Sequence, residues 1–455
     1  MRRFAELPAP VRYIVIALGL LVLVCVLRWV DREDESDREG LAAFAPQLEL
    51  HVKLTHADAH LGAPLFTHEP PGAELARWRK LDVSALRAPD ELAQLAADPE
   101  VDEAFVAPAL SLPVDPENSG DFDPALLVDR TMPAGDSCPI TTPSYVELQG
   151  YLGPAPYGID APAAWRNDIR GAGVAFADIE GAWNARHEDL PGDRIALVHG
   201  TPIQDPSWSA HGTAVLGEVV GIDNGRGVTG IAPDVDRIVT ASIGRSDAAD
   251  AIDAAARALH AGDVLLVELQ GYGPRGRFVP VEYWDDIFDA IHAATARGVV
   301  VIEAAGNGGE DLDHKIYKGK FDRRVRDSGA IMVGAGGPPR LGFRDRERLD
   351  FSNYGARVDV QGWGRRVATL DYGDLQRCDD ARLRHYTDEF SGTSSASPIV
   401  AGAAILVESY RHRALAPSEV RDLLVRTGSE QLGDPREHIG PRPDLSRALG
   451  ALGLW

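Results

Sequence analysis

The amino-acid sequence predicts an α/β fold: a mostly parallel sheet with helices on both faces, preceded by a small α+β module. Three observations predict it. Strand-like and helix-like segments alternate through the larger C-terminal part, the pattern of successive βαβ units. The residues there that are able to do chemistry fall at strand ends or helix starts, where open α/β sheets place their ligands. Upstream, an alternating strand, a helix and a second strand follow one another in a region of their own.

In chain order, Leu48–Leu54 alternates apolar and polar side chains, as a half-buried strand does. Asp90 gives a capping signal for a helix over Asp90–Ala97, and Val101–Pro108 reads as a strand. Residues 113–148 are rich in Pro, Asp, Ser and Thr without a sustained period and read as a linker. Val174–Asp178 reads as a buried strand that ends in a carboxylate and turns through Ile179-Glu180-Gly181. His211 opens a small-residue helix. Ala248–Ala261 predicts an Ala-rich helix, Asp263–Leu269 a buried strand, and Trp284–Arg297 a helix with Trp284, Ile287, Ile291 and Ala294 at helical spacing. Val299–Ala304 and Ala330–Val333 are further strands. The organisation expected is a signal or signal-anchor segment over 1–30, an acidic linker over 31–44, the α+β module over 45–112, a Pro/Asp-rich linker over 113–148, and the α/β domain over 149–455.

The chain of 455 residues is too long for one ordinary domain and carries a net charge of −23, which argues against nucleic acid as a partner. Tyr13–Leu27 is apolar throughout apart from its tyrosine. Arg2, Arg3 and Arg12 precede it and a mainly acidic stretch follows. This predicts an exported protein whose N-terminus faces the cytoplasm, held in the membrane through residues 13–30 if the anchor is retained. The alternative is cleavage and release. With Cys25 inside the apolar run, Cys138 and Cys378 remain as one possible pair in an oxidising space, or as two separate thiols.

Four residues carry chemistry. Ser394 lies between the Gly392-Thr393 turn and the apolar run Ile399–Val407, so its hydroxyl stands at a helix N-terminus that favours negative charge. His211 is followed by Gly and small residues that let another backbone approach, and an imidazole there can accept the serine proton. Asp178 can orient that imidazole. Asn307, in the turn Gly306-Asn307-Gly308-Gly309 after an apolar strand, can donate an N–H to a developing oxyanion without adding charge.

Asp178, His211, Asn307 and Ser394 in this order and context resemble the subtilisin-like serine proteases, whose chain order is Asp, His, Ser. The resemblance runs over roughly residues 150–450 and includes Gly227–Pro233, Phe351–Gly355 and Ala416–Arg421. It implies a serine endopeptidase that hydrolyses polypeptide substrates through an acyl-enzyme and needs no cofactor for the chemistry. It also implies a zymogen, because residues 45–112 resemble the inhibitory propeptides of that family, which occupy the cleft until cut. A structural calcium held by Asp189 and Asn224 is a further implication. The glutamine ligand common in that site has no match, with Gln149 too far upstream.

Two departures stand out. The family's Asp-Ser/Thr-Gly is here Asp178-Ile179-Glu180-Gly181, with a lengthened stretch to His187. Glu180 is expected to face solvent, the alternative being that it tunes the triad. The substrate-wall strand is Leu269-Gln270-Gly271. Two other readings share these residues: a catalytically impaired binding protein, and a transpeptidase or ligase on the same fold.

Overall fold

The structure, a computed structural model, describes residues 46–57, 61–68, 73–85, 87–113, 138–244, 248–378, 381–410 and 414–455. The apolar run at 13–30, the acidic linker 31–44 and residues 114–137 of the second linker lie outside the described residues. Among the described residues no helix is long and apolar enough to cross a membrane. The chain divides into two compact units, one ending at Ala63 and resuming over Lys80–Ala107, the other comprising Pro64–Arg79 and Pro108–Trp455.

In chain order the first elements are β1 (Gln47–Leu54), β2 (Ala63–Pro64), β3 (Trp78–Ser84), α1 (Ala88–Leu95) and β4 (Val101–Val106). In the smaller unit β1 pairs antiparallel with β4, Leu50 opposite Val106 and Val52 opposite Ala104. The alternation seen in the sequence turns Leu50, Val52 and Leu54 inward, where Leu95 of α1 meets them. Helix α1 starts two residues before the expected Asp90. Pro89 sits in its first turn, and Asp90 lies in that turn rather than at the cap, where its charge still complements the helix dipole.

The larger unit is built on a seven-stranded sheet. Its strands are β6 (Ala175–Glu180), β7 (Ile195–His199), β8 (Arg237–Ser242), β9 (Val264–Val267), β12 (Val300–Ala304), β13 (Ile331–Gly336) and β14 (Val360–Trp363), in the order β14-β13-β12-β9-β6-β8-β7. Every pairing in it is parallel. Its central strands are buried along their whole length, as a sheet covered on both faces requires. The covering helices include α2 (Ala161–Trp165), α3 (Pro206–Val220), α4 (Ala248–Arg257), α5 (Asp285–Ala296), α6 (Thr393–Ser409), α7 (Pro417–Thr427) and α8 (Leu445–Ala451). Apolar faces of α3 and α6 enter one core with Phe176, Ile238, Leu266, Ile302 and Val333 of the sheet.

Strand β6 has β8 on one side and β9 on the other; from β6 the chain crosses toward the β7 edge, whereas from β9 it moves the opposite way to β12, β13 and β14. The crevice beyond the C-terminal ends of β6 and β9 is therefore the topological switch point, where open α/β sheets bind ligands. Outside the main sheet, β10 (Gln270–Tyr272) pairs antiparallel with β11 (Phe278–Pro280) and with the short β5 (Leu110–Ser111). A ribbon of β15 (Val367–Leu370) and β16 (Tyr386–Phe390) leads into α6.

Cys138 and Cys378 form a disulfide across 240 residues, the pairing that the sequence left open. Elsewhere in the unit the Arg357 guanidinium is buried: it donates Nε to Glu282 Oε1 (2.6 Å), Nη2 to Glu282 Oε2 (2.8 Å) and Nη1 to Asp359 Oδ2 (3.0 Å). Burial alone would raise Glu282, but Arg357 outweighs it and holds that carboxyl below its ordinary value.

Candidate active site

Four elements meet at the switch point. Helix α6 begins at Thr393, with Gly392 before it at φ 116°, a backbone region that L side chains avoid. A Cβ at Gly392 would lie 2.1 Å from Pro113 O, 3.0 Å from Ser394 Oγ and 3.1 Å from Asn307 Nδ2. That position has to be a glycine because three polar atoms converge on it.

His211 lies within α3, whose N-terminus Asp205 caps by accepting from Ser207 N (2.8 Å). A Cβ at the next residue, Gly212, would stand 2.4 Å from Ala182 O, so its smallness lets the loop after β6 press against the helix. This is the close approach expected from the residues around His211.

The partner of His211 differs from expectation. Its Nδ1 is hydrogen-bonded to Glu180 Oε1, and both side chains are fully buried. Asp178 is not on the imidazole. Its Oδ2 accepts from Trp183 Nε1 at 2.7 Å, and its Oδ1 has no hydrogen-bond partner. The physical reason is the strand period. Residues 178 and 180 point to the same face of β6, and Glu180 is one step nearer the C-terminal end. The expectation that Glu180 faces solvent is thereby corrected.

Burial pushes His211 down to about 3 and pushes Glu180 well up. Asp178 is raised by burial and then by the neighbouring Glu180. Glu268, the residue after β9, is raised by burial as well, with Glu180, Asp178 and Glu218 adding to it. It accepts from Ser397 Oγ (2.5 Å), one helical turn beyond Ser394. Four buried carboxyl groups thus share this end of the sheet.

Asn307 is oriented from both ends. Its Oδ1 accepts from Thr393 N and Thr393 Oγ1, each at 2.9 Å. Its backbone N–H donates to Gln270 Oε1 at 2.8 Å. The acceptor side of the amide is thus used, and Nδ2 is left buried without a hydrogen-bond partner.

Residues 108–113 belong to this same unit and occupy the cleft. Ser111 pairs with Gln270 and Leu110 with Gly271 of β10. Gln270 Nε2 donates to Leu112 O at 2.7 Å. Pro113 O accepts from Ser394 Oγ at 2.8 Å and from Ser394 N at 3.4 Å. His211 Nε2 is buried without a partner, so the serine hydroxyl donates to Pro113 rather than to the imidazole. Sequence reasoning placed Gln270 on the substrate-wall strand but did not identify residues 108–113 as the strand laid on it, since main-chain pairing carries no residue signature.

The residues of the second sequence-derived site are joined by hydrogen bonds. Asp189 Oδ1 accepts from Asn224 Nδ2 (2.7 Å) and Oδ2 from Val228 N (2.9 Å), while Asn224 Oδ1 accepts from Arg226 N (3.0 Å). Gln149, read as too far upstream, reaches the same loop and accepts from Thr229 N (2.8 Å). These are oxygens of the kind calcium takes, and each accepts one hydrogen bond within the loop. Burial raises Asp189 to about 6.

Known proteins share this architecture. The model of the subtilase family matches residues 184–446, a span that starts just after Asp178 and Glu180. The chain is 31% identical over 288 residues to subtilisin DY of Bacillus licheniformis, covering 61% of this chain and 93% of that one. Against alkaline elastase YaB of Bacillus sp. (strain YaB) it is 30% identical over 328 residues, covering 69% and 73%. Among solved structures, the epidermin leader peptide processing serine protease of Staphylococcus aureus superposes with a TM-score of 0.59 at 18% identity, covering 90% of this chain and 100% of that one. A protease from Pseudoalteromonas arctica superposes with a TM-score of 0.51 at 21% identity, covering 68% and 99%. The family model spans more than half of the chain, and the chain belongs to the subtilase family of serine endopeptidases.

Proposed function

We propose that this chain is an exported serine endopeptidase made as a zymogen, and that its catalytic acid is Glu180. Ser394 Oγ attacks the carbonyl carbon of the bond to be cut, and its proton passes to His211 Nε2. Glu180 accepts the Nδ1–H, fixes the tautomer and stabilises the imidazolium. The oxyanion takes N–H donors from Asn307 Nδ2 and from the Ser394 backbone. Collapse expels the amine, which takes the proton from His211, and water resolves the acyl-enzyme. Asp178, held by Trp183, is a second carboxyl behind the first.

The observation that carries the zymogen reading is Pro113 O, 2.8 Å from Ser394 Oγ at the end of a strand laid on β10. Residues 110–113 sit as the acyl side of a substrate would, which makes the bond after Pro113 the maturation bond. The disulfide supports export into an oxidising space. It starts at Cys138, downstream of Pro113, so it does not tie the residues before Pro113 to the protease.

The test is intact mass over time for residues 31–455 beside Ser394→Ala, with a fluorophosphonate probe and unfolded casein as readouts. The parent is expected to lose the segment ending at Pro113, to label and to digest casein, while the variant does none of these. A parent that neither cuts itself nor labels, even after added protease removes the segment, sinks the reading.

A further inference from the structure

Away from the cleft, His68, His199 and Asp250 place one ligand atom each within 4.8 Å of one another. They come from three different elements. His199 ends β7, Asp250 lies in the first turn of α4, and His68 belongs to the upstream segment Pro64–Arg79. All three lie in the larger unit.

Asp250 is 3% exposed and already gathers the upstream segment. Its Oδ1 accepts from Thr67 N (3.0 Å) and lies 3.4 Å from His68 Nδ1, and its Oδ2 accepts from Thr67 Oγ1 (2.7 Å). The His68 and His199 rings lie with centroids 5.9 Å apart, tilted 52° to each other. His199 Nε2 is buried with no hydrogen-bond partner. A buried ring nitrogen without a partner is costly, and nothing in the cleft chemistry uses it. Two imidazole nitrogens and one carboxylate oxygen are the donor set of zinc-class ions, which leave a fourth position to water.

We propose that His68, His199 and Asp250 bind a divalent transition-metal ion of the zinc class, and that the ion clasps the upstream segment to the protease unit. The clasp rests on the reading that this segment is the inhibitory part. The Cys138–Cys378 disulfide does not reach residues before 113, so after cleavage only non-covalent contacts hold them. Bound metal then retains the inhibitor, and metal loss favours its release.

The experiment uses residues 31–455 carrying Ser394→Ala, which cannot cut itself, stripped of metal with chelator. Zinc is titrated calorimetrically and cobalt by its visible absorption. One equivalent is expected, weakened about 100-fold or more by His199→Ala and by His68→Ala. Because His68 is partly exposed, its variant is expected to keep the parent's thermal melt. Amide hydrogen exchange of residues 61–68 and 73–79 is expected to slow at least severalfold with zinc in the parent and not in either variant. No binding, or binding unchanged in both variants, overturns the site. Binding without any change in exchange overturns the clasp. Neither result bears on hydrolysis, which the fluorophosphonate label reports separately.

Discussion

Two clusters of buried charge occupy the same unit and follow opposite rules. Around Arg357, each charged hydrogen bond has a partner, and Glu282 is held below its ordinary value. At the switch point Asp178, Glu180, Glu218 and Glu268 are all fully buried and all raised. There Asp178 Oδ1, both Glu218 oxygens, Glu268 Oε2, His211 Nε2 and Asn307 Nδ2 lack partners. In the first cluster the Arg357 guanidinium and the Glu282 carboxylate are hydrogen-bonded to each other and hold the fold, while burial raises the adjacent Asp359 and Glu303 and leaves Glu303 Oε2 without a partner. The second leaves polar atoms unpaired where charge must develop during a reaction, a pattern common at functional sites.

The largest expected effect separates the two acids of β6. Glu180→Gln should lower kcat by about 10⁴, whereas Asp178→Asn should lose far less, measured on a peptide substrate after removal of the upstream segment. Equal losses would return the role to Asp178. The pH profile sharpens the contrast. Glu180 as carboxylate stabilises the imidazolium and raises the His211 pKa, and activity needs the neutral imidazole. Glu180→Gln should therefore move the acid limb of kcat/KM to lower pH, and an unmoved limb would place another group on His211.

Next comes Asn307→Ala, expected to cost about 3 kcal/mol of transition-state stabilisation with an unchanged melt. Unchanged turnover would remove Asn307 from the oxyanion site. Arg357→Met tests the other cluster. Leaving Glu282 and Asp359 buried without their cation should cost about 3–5 kcal/mol in urea unfolding, with the fluorophosphonate rate of the folded fraction unaltered.

The smallest effect is one of sign. A carboxyl raised in the folded state adds stability below its unfolded value, near 4.5 for Glu268, and that stability is lost as pH rises. Glu282, depressed, does the reverse and loses its contribution as pH falls. Glu268→Gln keeps an acceptor for Ser397 and cannot ionise. It should raise Tm at pH 8 by about 2 °C or more while leaving it unchanged near pH 4. A melt unmoved at both would mean Glu268 is not destabilised by ionisation.

How legible this was depended on how local each signal is. Ser394, His211 and Asn307 were readable because glycines and small residues beside them in sequence do the geometric work, as Gly212 and Gly392 show. The partner of His211 was not legible, because strand alternation puts residues 178 and 180 on one face and both end an apolar strand. One sequence signal agrees with the Glu180 contact: counted from Glu180, the stretch to His187 is two residues shorter, removing the apparent lengthening. The parallel sheet followed from alternating elements, whereas the occupied cleft did not, because Leu110–Pro113 is held mainly through its backbone. The His68, His199 and Asp250 cluster joins positions 51 to 182 residues apart and leaves no local pattern.

The place where the disulfide begins has a kinetic consequence. A chain cut after Pro113 is two polypeptides with no bond between them, since the covalent ring of Cys138 and Cys378 lies wholly in the second. On the proposed zymogen reading, the inhibitor then acts at its bulk concentration rather than at the high effective concentration of a tethered lid. Activation on that reading is a matter of dilution: dense material stays quiet after cutting, and the same material spread into a larger volume wakes as the segment dissociates.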